Sequence, residues 1–155
     1  MVAGNLFNVR KFGATGNRNE KATGALRNAV DACAAAGGGM VYIPPGDYTV
    51  GTIQLKDNVT LHIEAGATLF LSQDREDFIP GARTMIFAEH VKNISVTGKG
   101  TLDGLAQLEK GVNADGIDIC SSRNVTVSDS VIITADDSIV LKTPLREGQE
   151  KAVIA

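Results

Sequence analysis

The segment Asn113-Ala-Asp-Gly-Ile-Asp118 is followed, twenty-two positions further along the chain, by the related segment Ala135-Asp-Asp-Ser-Ile139. Matched segments of this kind are typical of a parallel β-solenoid, in which successive coils stack about 4.8 Å apart. At this offset Asp115 aligns with Asp137, and Asp136 stands beside them. The match therefore predicts a solenoid in which two neighbouring coils bring three carboxylates onto one surface.

A shorter motif recurs three times and supports the same fold. The segments Asn58-Val-Thr-Leu61, Asn93-Ile-Ser-Val96 and Asn124-Val-Thr-Val127 share the order asparagine, apolar, hydroxyl, apolar. Alternation of this kind predicts a strand with one buried face. Asparagine suits the turn before such a strand because it tolerates a left-handed backbone. We expect a structural turn role for each asparagine in preference to a ligand-binding role.

A β-sandwich is the competing architecture. It requires hairpins with Asn-Gly or Asp-Gly turns, and Asp103-Gly104 and Asp115-Gly116 could supply two of them. The repeated asparagine motif and the 22-residue match favour the solenoid.

The first third of the chain contains one helical segment between extended ones. Asn8–Gly13 predicts a short strand, and Lys21–Ala36 predicts a helix because its apolar residues recur at three- and four-residue spacing. Gly37–Gly39 ends that helix. Met40–Ile43 then predicts a strand, and Tyr48–Leu55 predicts a strand or a pair of strands. The helix is expected to cover an open end of the stack.

Composition restricts the class of protein. The chain has 155 residues, 43% hydrophobic and 21% charged, and a formal charge of −3, which fits one globular domain. No basic patch suggests a nucleic-acid partner, and no apolar run could span a membrane. Met1–Gly4 lacks the features of a secretory signal. Cys33 and Cys120 are expected to be buried free thiols, and no Cys/His set has zinc spacing.

The predicted carboxylate surface allows four interpretations. Three adjacent carboxyls cannot ionise independently, so at least one is expected to have a raised pKa. A regular strand would point Asp115 into the core, and we expect a bend at Gly116 to turn its side chain outward. The residues alone favour solvated turn aspartates. They leave open a calcium site, acid and base catalysis of glycoside hydrolysis, and carbohydrate binding without turnover.

The two aspartate segments resemble the paired active-site segments of glycoside hydrolase family 28, the polygalacturonases. That family commonly has Asn-Thr-Asp-Gly and Gly-Asp-Asp-Cys at these places, so all three aspartates match. The resemblance extends to other stretches of the chain, which are Asn8–Ala14, Asp31–Cys33, Gly37–Gly39, Val41–Gly46 and Leu61–Leu69. It implies an all-β, right-handed parallel β-helix with an N-terminal capping α-helix. Residues 1–155 would be one shortened domain, with the first strand and helix in 8–39 and the coils in 40–155.

The resemblance also implies an activity and roles for residues. The activity is inverting hydrolysis of α-1,4 galacturonosidic bonds in a pectin-like polyuronide, without metal or organic cofactor. Asp136 would be the general acid, and Asp115 and Asp137 would hold and deprotonate the attacking water. Asn113 is assigned to substrate binding. Lys142 would share the face of Asp136 on a regular strand and is assigned to binding a uronate, although the residue alone favours a solvated lysine. A secreted or periplasmic location is implied by the family, while the chain itself carries no signal.

The chain also departs from the family pattern. It lacks the Gly-His-Gly and Arg-Ile-Lys segments that follow the paired aspartates in family members, and His62 and His90 lie in other contexts. A catalytically inactive β-helix fragment that at most binds carbohydrate is therefore the alternative, and a calcium-dependent pectate lyase is a third. The apolar segment Ala152–Ala155 predicts self-association through an uncovered end of the stack.

Overall fold

The computed structural model describes residues 4–80, 83–104 and 115–142. Within these ranges one α-helix, two 3₁₀ helices and thirteen strands follow one another along the chain. The helices are α1 Thr23–Ala35 and the 3₁₀ helices Val9–Phe12 and Arg75–Asp77, and the strands are β1 Leu6–Asn8, β2 Gly39–Ile43, β3 Gly46–Val50, β4 Ile53–Gln54, β5 Val59–Ile63, β6 Ala67–Leu71, β7 Thr84–Glu89, β8 Lys92–Thr97, β9 Thr101–Asp103, β10 Asp115–Cys120, β11 Arg123–Val127, β12 Val131–Ile133 and β13 Ile139–Lys142.

The strands form three parallel sheets that wind around one core. The orders are β1-β2-β5-β8-β11 in the first sheet, β3-β6-β9-β12 in the second and β4-β7-β10-β13 in the third. Each turn of chain from β2 onward therefore adds one strand to each sheet, and four such coils are described. The fold is the right-handed parallel β-helix with an N-terminal helix that the sequence predicted.

Side chains at equivalent positions of successive coils stack inside the helix. Val41, Leu61, Val96 and Val127 follow one another in register along the first sheet, and the first three are at most 2% exposed. Each coil thus buries the apolar positions of the next coil. One apolar face per strand is therefore enough to form the core.

Helix α1 packs against the first coil. Its buried side chains include Leu26, Ala29, Val30 and Cys33, all fully buried, and it contacts β1, β2 and β4. The predicted helix and its apolar face are confirmed. Cys33 and Cys120 are both buried free thiols, as expected. Neither α1 nor any other described helix is long and apolar enough to cross a membrane.

The prediction of a strand over Asn8–Gly13 was wrong. Strand β1 ends at Asn8, and Val9–Phe12 forms a 3₁₀ helix. Two local features explain the turn: the Asn8 side chain accepts a hydrogen bond from the Arg10 amide, and Gly13 ends the helix with a left-handed backbone at φ 103°. The local capping chemistry outweighs the extended pattern of the sequence.

The three motif asparagines form a ladder at one corner of the coils. Asn58, Asn93 and Asn124 have left-handed backbones with φ of 62°, 55° and 54°. The Asn93 amide donates to Asn58 Oδ1 at 3.0 Å, and the Asn124 amide donates to Asn93 Oδ1 at 2.9 Å. The predicted structural role in the turn is confirmed, and stacking adds a chain of side-chain hydrogen bonds to it.

Candidate active site

The candidate site lies at the corner where the chain passes from the second sheet to the third. Asp115 is the first residue of β10, and Asp136 and Asp137 lie between β12 and β13 on the next coil. The register pairs Ile117 with Ile139 and Ile119 with Leu141. The 22-residue offset read from the sequence is therefore the actual register of these two coils.

The three predicted carboxylates come together at this corner. One carboxylate oxygen from each of Asp115, Asp136 and Asp137 lies within 4.8 Å of the other two. Asp136 and Asp137 are exposed, whereas only 16% of the Asp115 side chain is accessible. In the turn, the Thr134 hydroxyl donates to the Asp136 carbonyl at 2.9 Å and contacts the Ser138 hydroxyl at 3.3 Å. The sequence thus located a real cluster of acids on one surface.

Gly116 allows the two coils to approach closely beside this cluster. Its amide donates to the Asp137 carbonyl at 3.0 Å, and the Ile117 amide donates to the Ser138 carbonyl at 3.1 Å. A Cβ atom at position 116 would lie 2.6 Å from the Ser138 carbonyl oxygen and 2.8 Å from a methyl group of Ile132. Glycine is required here for the close contact between coils that holds Asp115 beside Asp137.

Lys142 reaches the same surface from β13. Its Nζ lies 2.7 Å from Asp118 Oδ2 and 3.7 Å from Asp115 Oδ2, and 48% of its side chain is exposed. The hydrogen bond to Asp118 raises the pKa of Lys142, although burial opposes this. Lys142 is therefore ion-paired at the cluster, which the alternative of a simply solvated lysine did not anticipate.

Asp118 belongs to the site but was not singled out from the sequence. It lies in register between Phe87 on the preceding coil and Val140 on the following coil, and it is only 4% exposed. An outward-facing aspartate on a strand ordinarily indicates a solvated surface. Its position in the sequence offered one signal. Asp118 lies in the same short segment as Asp115, and it precedes by two residues Cys120, the residue that pairs with Lys142 on the next coil.

The surroundings of Asp115 favour its protonated form. Burial raises the pKa of Asp115, the negative charges of Asp118 and Asp136 add to this, and the Lys142 ammonium opposes it. The carboxyl with the raised pKa is thus one that the family resemblance places next to the attacking water.

The carboxylate spacing also meets the first requirement of a hard cation such as Ca²⁺, which binds several oxygens at 2.3–2.6 Å. The ammonium of Lys142, however, already lies 3.7 Å from Asp115 Oδ2 and would repel a divalent ion. The described residues therefore fit an internally compensated acid cluster better than a calcium site. Asn113, the other predicted substrate-binding residue, lies outside the described residues.

Stacked parallel coils with acidic residues at one corner place the chain in the pectate-lyase-like class of β-helix proteins. It belongs to the rhamnogalacturonase A/epimerase, pectate lyase-like family, whose model matches residues 6–150.

Curated relatives include enzymes that act on polyuronides. The chain is 28% identical over 118 residues to an exo-poly-alpha-D-galacturonosidase of Dickeya chrysanthemi and 36% identical over 110 residues to an exopolygalacturonase of Zea mays. It is 37% identical over 111 residues to the mannuronan C5-epimerase AlgE6 of Azotobacter vinelandii. These alignments include 63–65% of this chain but only 19%, 25% and 12% of the respective relatives. The chain thus spans a quarter or less of their length.

A solved structure shares the fold. The family 28 exopolygalacturonase of Yersinia enterocolitica superimposes with a TM-score of 0.71 over 89% of this chain and 41% of that enzyme, at 20% sequence identity. At this identity the likeness shows the β-helix fold alone.

Proposed function

We propose that this protein hydrolyses α-1,4 galacturonosidic bonds in a pectin-like polyuronide. The observation that carries the proposal is the approach of three carboxylate oxygens to within 4.8 Å on one surface. Glycoside hydrolysis needs one carboxyl that donates a proton and one that accepts a proton. The names of the galacturonan-degrading relatives support the choice of substrate.

The roles of the three aspartates are those that the family resemblance implies. Asp136, which is exposed, protonates the glycosidic oxygen as the bond from that oxygen to the sugar C1 breaks. Asp115 and Asp137 hold a water molecule, whose oxygen attacks C1 while its proton passes to one of these two carboxylates. Asp115 must be ionised to accept the proton. Burial and the charge of Asp118 raise its pKa and oppose ionisation, whereas the nearby Lys142 ammonium favours the ionised form. No metal or organic cofactor takes part in this scheme.

Substrate binding is assigned to two residues. The half-exposed ammonium of Lys142 binds the carboxylate of a galacturonate unit, and Asn113 contributes from the segment that precedes β10. An extracytoplasmic location, implied by the family resemblance, belongs to the same proposal because such a polymer lies outside the cell.

Stereochemistry is a separate part of the proposal. The family resemblance implies inversion, for which acid and base carboxyls are usually about 6.5–9.5 Å apart, whereas retaining enzymes have about 5–5.5 Å. The closest oxygens of this cluster, within 4.8 Å, are nearer to the retaining value. Inversion at an α-linkage would release the β-anomer first, and proton NMR of the first product measures this directly. The α-anomer would overturn inversion and leave hydrolysis in place.

The decisive experiment measures reducing ends released from polygalacturonate by the 155-residue chain and two variants. Asp136→Asn should lower the rate about a thousandfold because the general acid is lost. Asp129→Asn, which makes the same change of charge at an exposed position on the neighbouring corner, should leave the rate unchanged. Unchanged activity of the Asp136 variant would refute its role as the acid.

Carbohydrate binding without turnover is the second candidate. It is favoured by the close approach of the carboxylate oxygens, within 4.8 Å, which is shorter than the separation usual for inverting hydrolysis. Retention of polygalacturonate without release of reducing ends would establish it. A product that absorbs in the ultraviolet and disappears with a chelator would instead indicate a calcium-dependent lyase.

A further inference from the structure

Asp118 is a costly residue for the fold. It is 4% exposed, one of its oxygens accepts a hydrogen bond from Lys142, and its Oδ1 has no hydrogen-bond partner among the described residues. Burying a carboxylate carries a large desolvation penalty, and a single ion pair often fails to offset that penalty. An unsatisfied buried oxygen adds a further cost. Stability alone therefore does not account for an aspartate at this position.

The same carboxylate controls a long and otherwise mobile side chain. Lys142 has four side-chain methylenes, and its ammonium could occupy many positions over the outer face of β13. The 2.7 Å contact with Asp118 fixes it, because Asp118 is itself held on β10 between Phe87 and Val140. In that position the ammonium lies 3.7 Å from Asp115.

The fixed ammonium retains capacity for a ligand. A lysine ammonium has three N–H donors, and Asp118 takes one while Asp115 is the nearest partner for a second. The side chain is 48% exposed, so the remaining donor can meet an anion from solvent. The anionic group that a polyuronide presents to such a donor is the carboxylate of a sugar unit.

We propose that Asp118 is a positioning residue for substrate recognition: its buried carboxylate holds the Lys142 ammonium beside the acid cluster, where the ammonium binds a uronate carboxylate. This inference rests on the proposed function for its substrate class. It assigns to Asp118 no contact with the reacting atoms. It also explains why an acid cluster can receive an acidic polymer, since the Lys142 charge reduces the repulsion between them.

The test compares the binding of trigalacturonate with that of its methyl ester, in which the uronate charges are removed. Calorimetric titrations are made on proteins that all carry Asp136→Asn, so that no ligand is cleaved. The parent protein should prefer the free acid. Asp118→Asn should reduce this preference about tenfold because a charge-assisted hydrogen bond no longer fixes the lysine. Lys142→Met should remove the preference. The Asp118→Asn/Lys142→Met double variant should bind the free acid no more weakly than Lys142→Met does.

Two further variants separate positioning from a general structural effect. Asp118→Glu keeps the charge and should restore part of the preference that Asp118→Asn loses. Asp31→Asn breaks a Lys56 ion pair in which both side chains are about half exposed, away from the cluster, and should leave the preference unchanged. The melting temperature of Asp118→Asn should equal or exceed that of the parent, because the substitution removes a buried charge. A lower melting temperature together with equal weakening of both ligands would mean that Asp118 acts only through the fold, and the proposal would fail.

Other results would also overturn it. No preference for the free acid in the parent protein, or a preference that survives Lys142→Met, would remove the lysine from recognition. A preference retained in Asp118→Asn but lost in Lys142→Met would remove Asp118. None of these outcomes depends on turnover, so a failure of hydrolysis is detected separately by the reducing-end assay.

Discussion

Two corners of the β-helix stack similar side chains on successive coils, with opposite energetic results. At the asparagine corner each side chain has both a donor and an acceptor, so Asn58, Asn93 and Asn124 satisfy one another at 3.0 and 2.9 Å. At the acid corner Asp115 and Asp137 have only acceptors when ionised, so stacking brings like charges together. The same geometry therefore satisfies the polar groups at one corner and places like charges side by side at the other.

The difference lies in the residue type, because parallel stacking enforces proximity at both corners. Amide stacks can extend along a solenoid without limit, since every added member is satisfied by the one before. A carboxylate stack needs compensation, and here Lys142 supplies it through Asp118 and Asp115. A stacked pair of acids in a solenoid is thus a stronger indication of function than a stacked set of amides.

The largest effect is expected from a substitution that disturbs the backbone at the acid corner. Gly116→Ala would place a methyl group 2.6 Å from the Ser138 carbonyl oxygen, and we expect a loss of about 3 kcal/mol in the free energy of unfolding. Urea denaturation followed by circular dichroism measures this. The matched control is Gly24→Ala in α1, where a Cβ meets nothing within 4 Å, and a gain of about 0.5–1 kcal/mol is expected. Equal effects of the two alanines would contradict the close approach of the coils at Gly116.

A smaller effect should follow from breaking the asparagine corner. Asn93→Ala removes the middle of the ladder and places alanine at φ 55°, so a loss of about 2 kcal/mol is expected. The same denaturation experiment measures it. Asn93→Gly loses the same hydrogen bonds but tolerates the left-handed backbone, and should therefore be less destabilised than the alanine variant. If glycine proved as harmful as alanine, backbone conformation would contribute nothing at this corner.

The smallest expected effect has the opposite sign and depends on pH. Because the pKa of Asp115 is raised in the folded protein, mainly by burial, the folded state binds its proton more tightly than the unfolded state. The stabilising contribution is complete below the unfolded pKa of about 3.9 and is lost as pH rises through the folded value. Asp115→Asn should therefore melt at a higher temperature than the parent at pH 7.

This gain should shrink as the pH approaches 4, where the parent carboxyl is protonated as well. Thermal melts of both proteins at several pH values provide the measurement. Asp129→Asn, at an exposed position, is the control and should show no such pH-dependent difference. A gain independent of pH would mean that the charge of Asp115 is not what opposes folding.

Much of the architecture could be predicted because solenoid stacking repeats in the sequence. The offset between Asp115 and Asp137 is the true register, and the three Asn motifs mark one corner of three successive coils. Helix α1 was also predictable, because its apolar spacing is regular and a glycine run follows it.

The features that could not be predicted arise from contacts between coils of unequal length. The spacing is 35 residues from Asn58 to Asn93 and 31 from Asn93 to Asn124, so no fixed period tells which residue lies above another. The burial of Asp118 arises from its neighbours on two other coils, and its pairing with Lys142 follows from the same register. The turn after Asn8 escaped prediction for a local reason, the side-chain cap on the Arg10 amide.

The cover formed by α1 over the first coil gives the fold a direction. Helix α1 precedes every complete coil in the sequence and contacts β1, β2 and β4. Because synthesis runs from the N-terminus, α1 and the coil it covers are made before β5 and every later described strand, so each later coil meets an edge that is already present. We therefore expect the described coils to be added in one direction, each on the coil made before it.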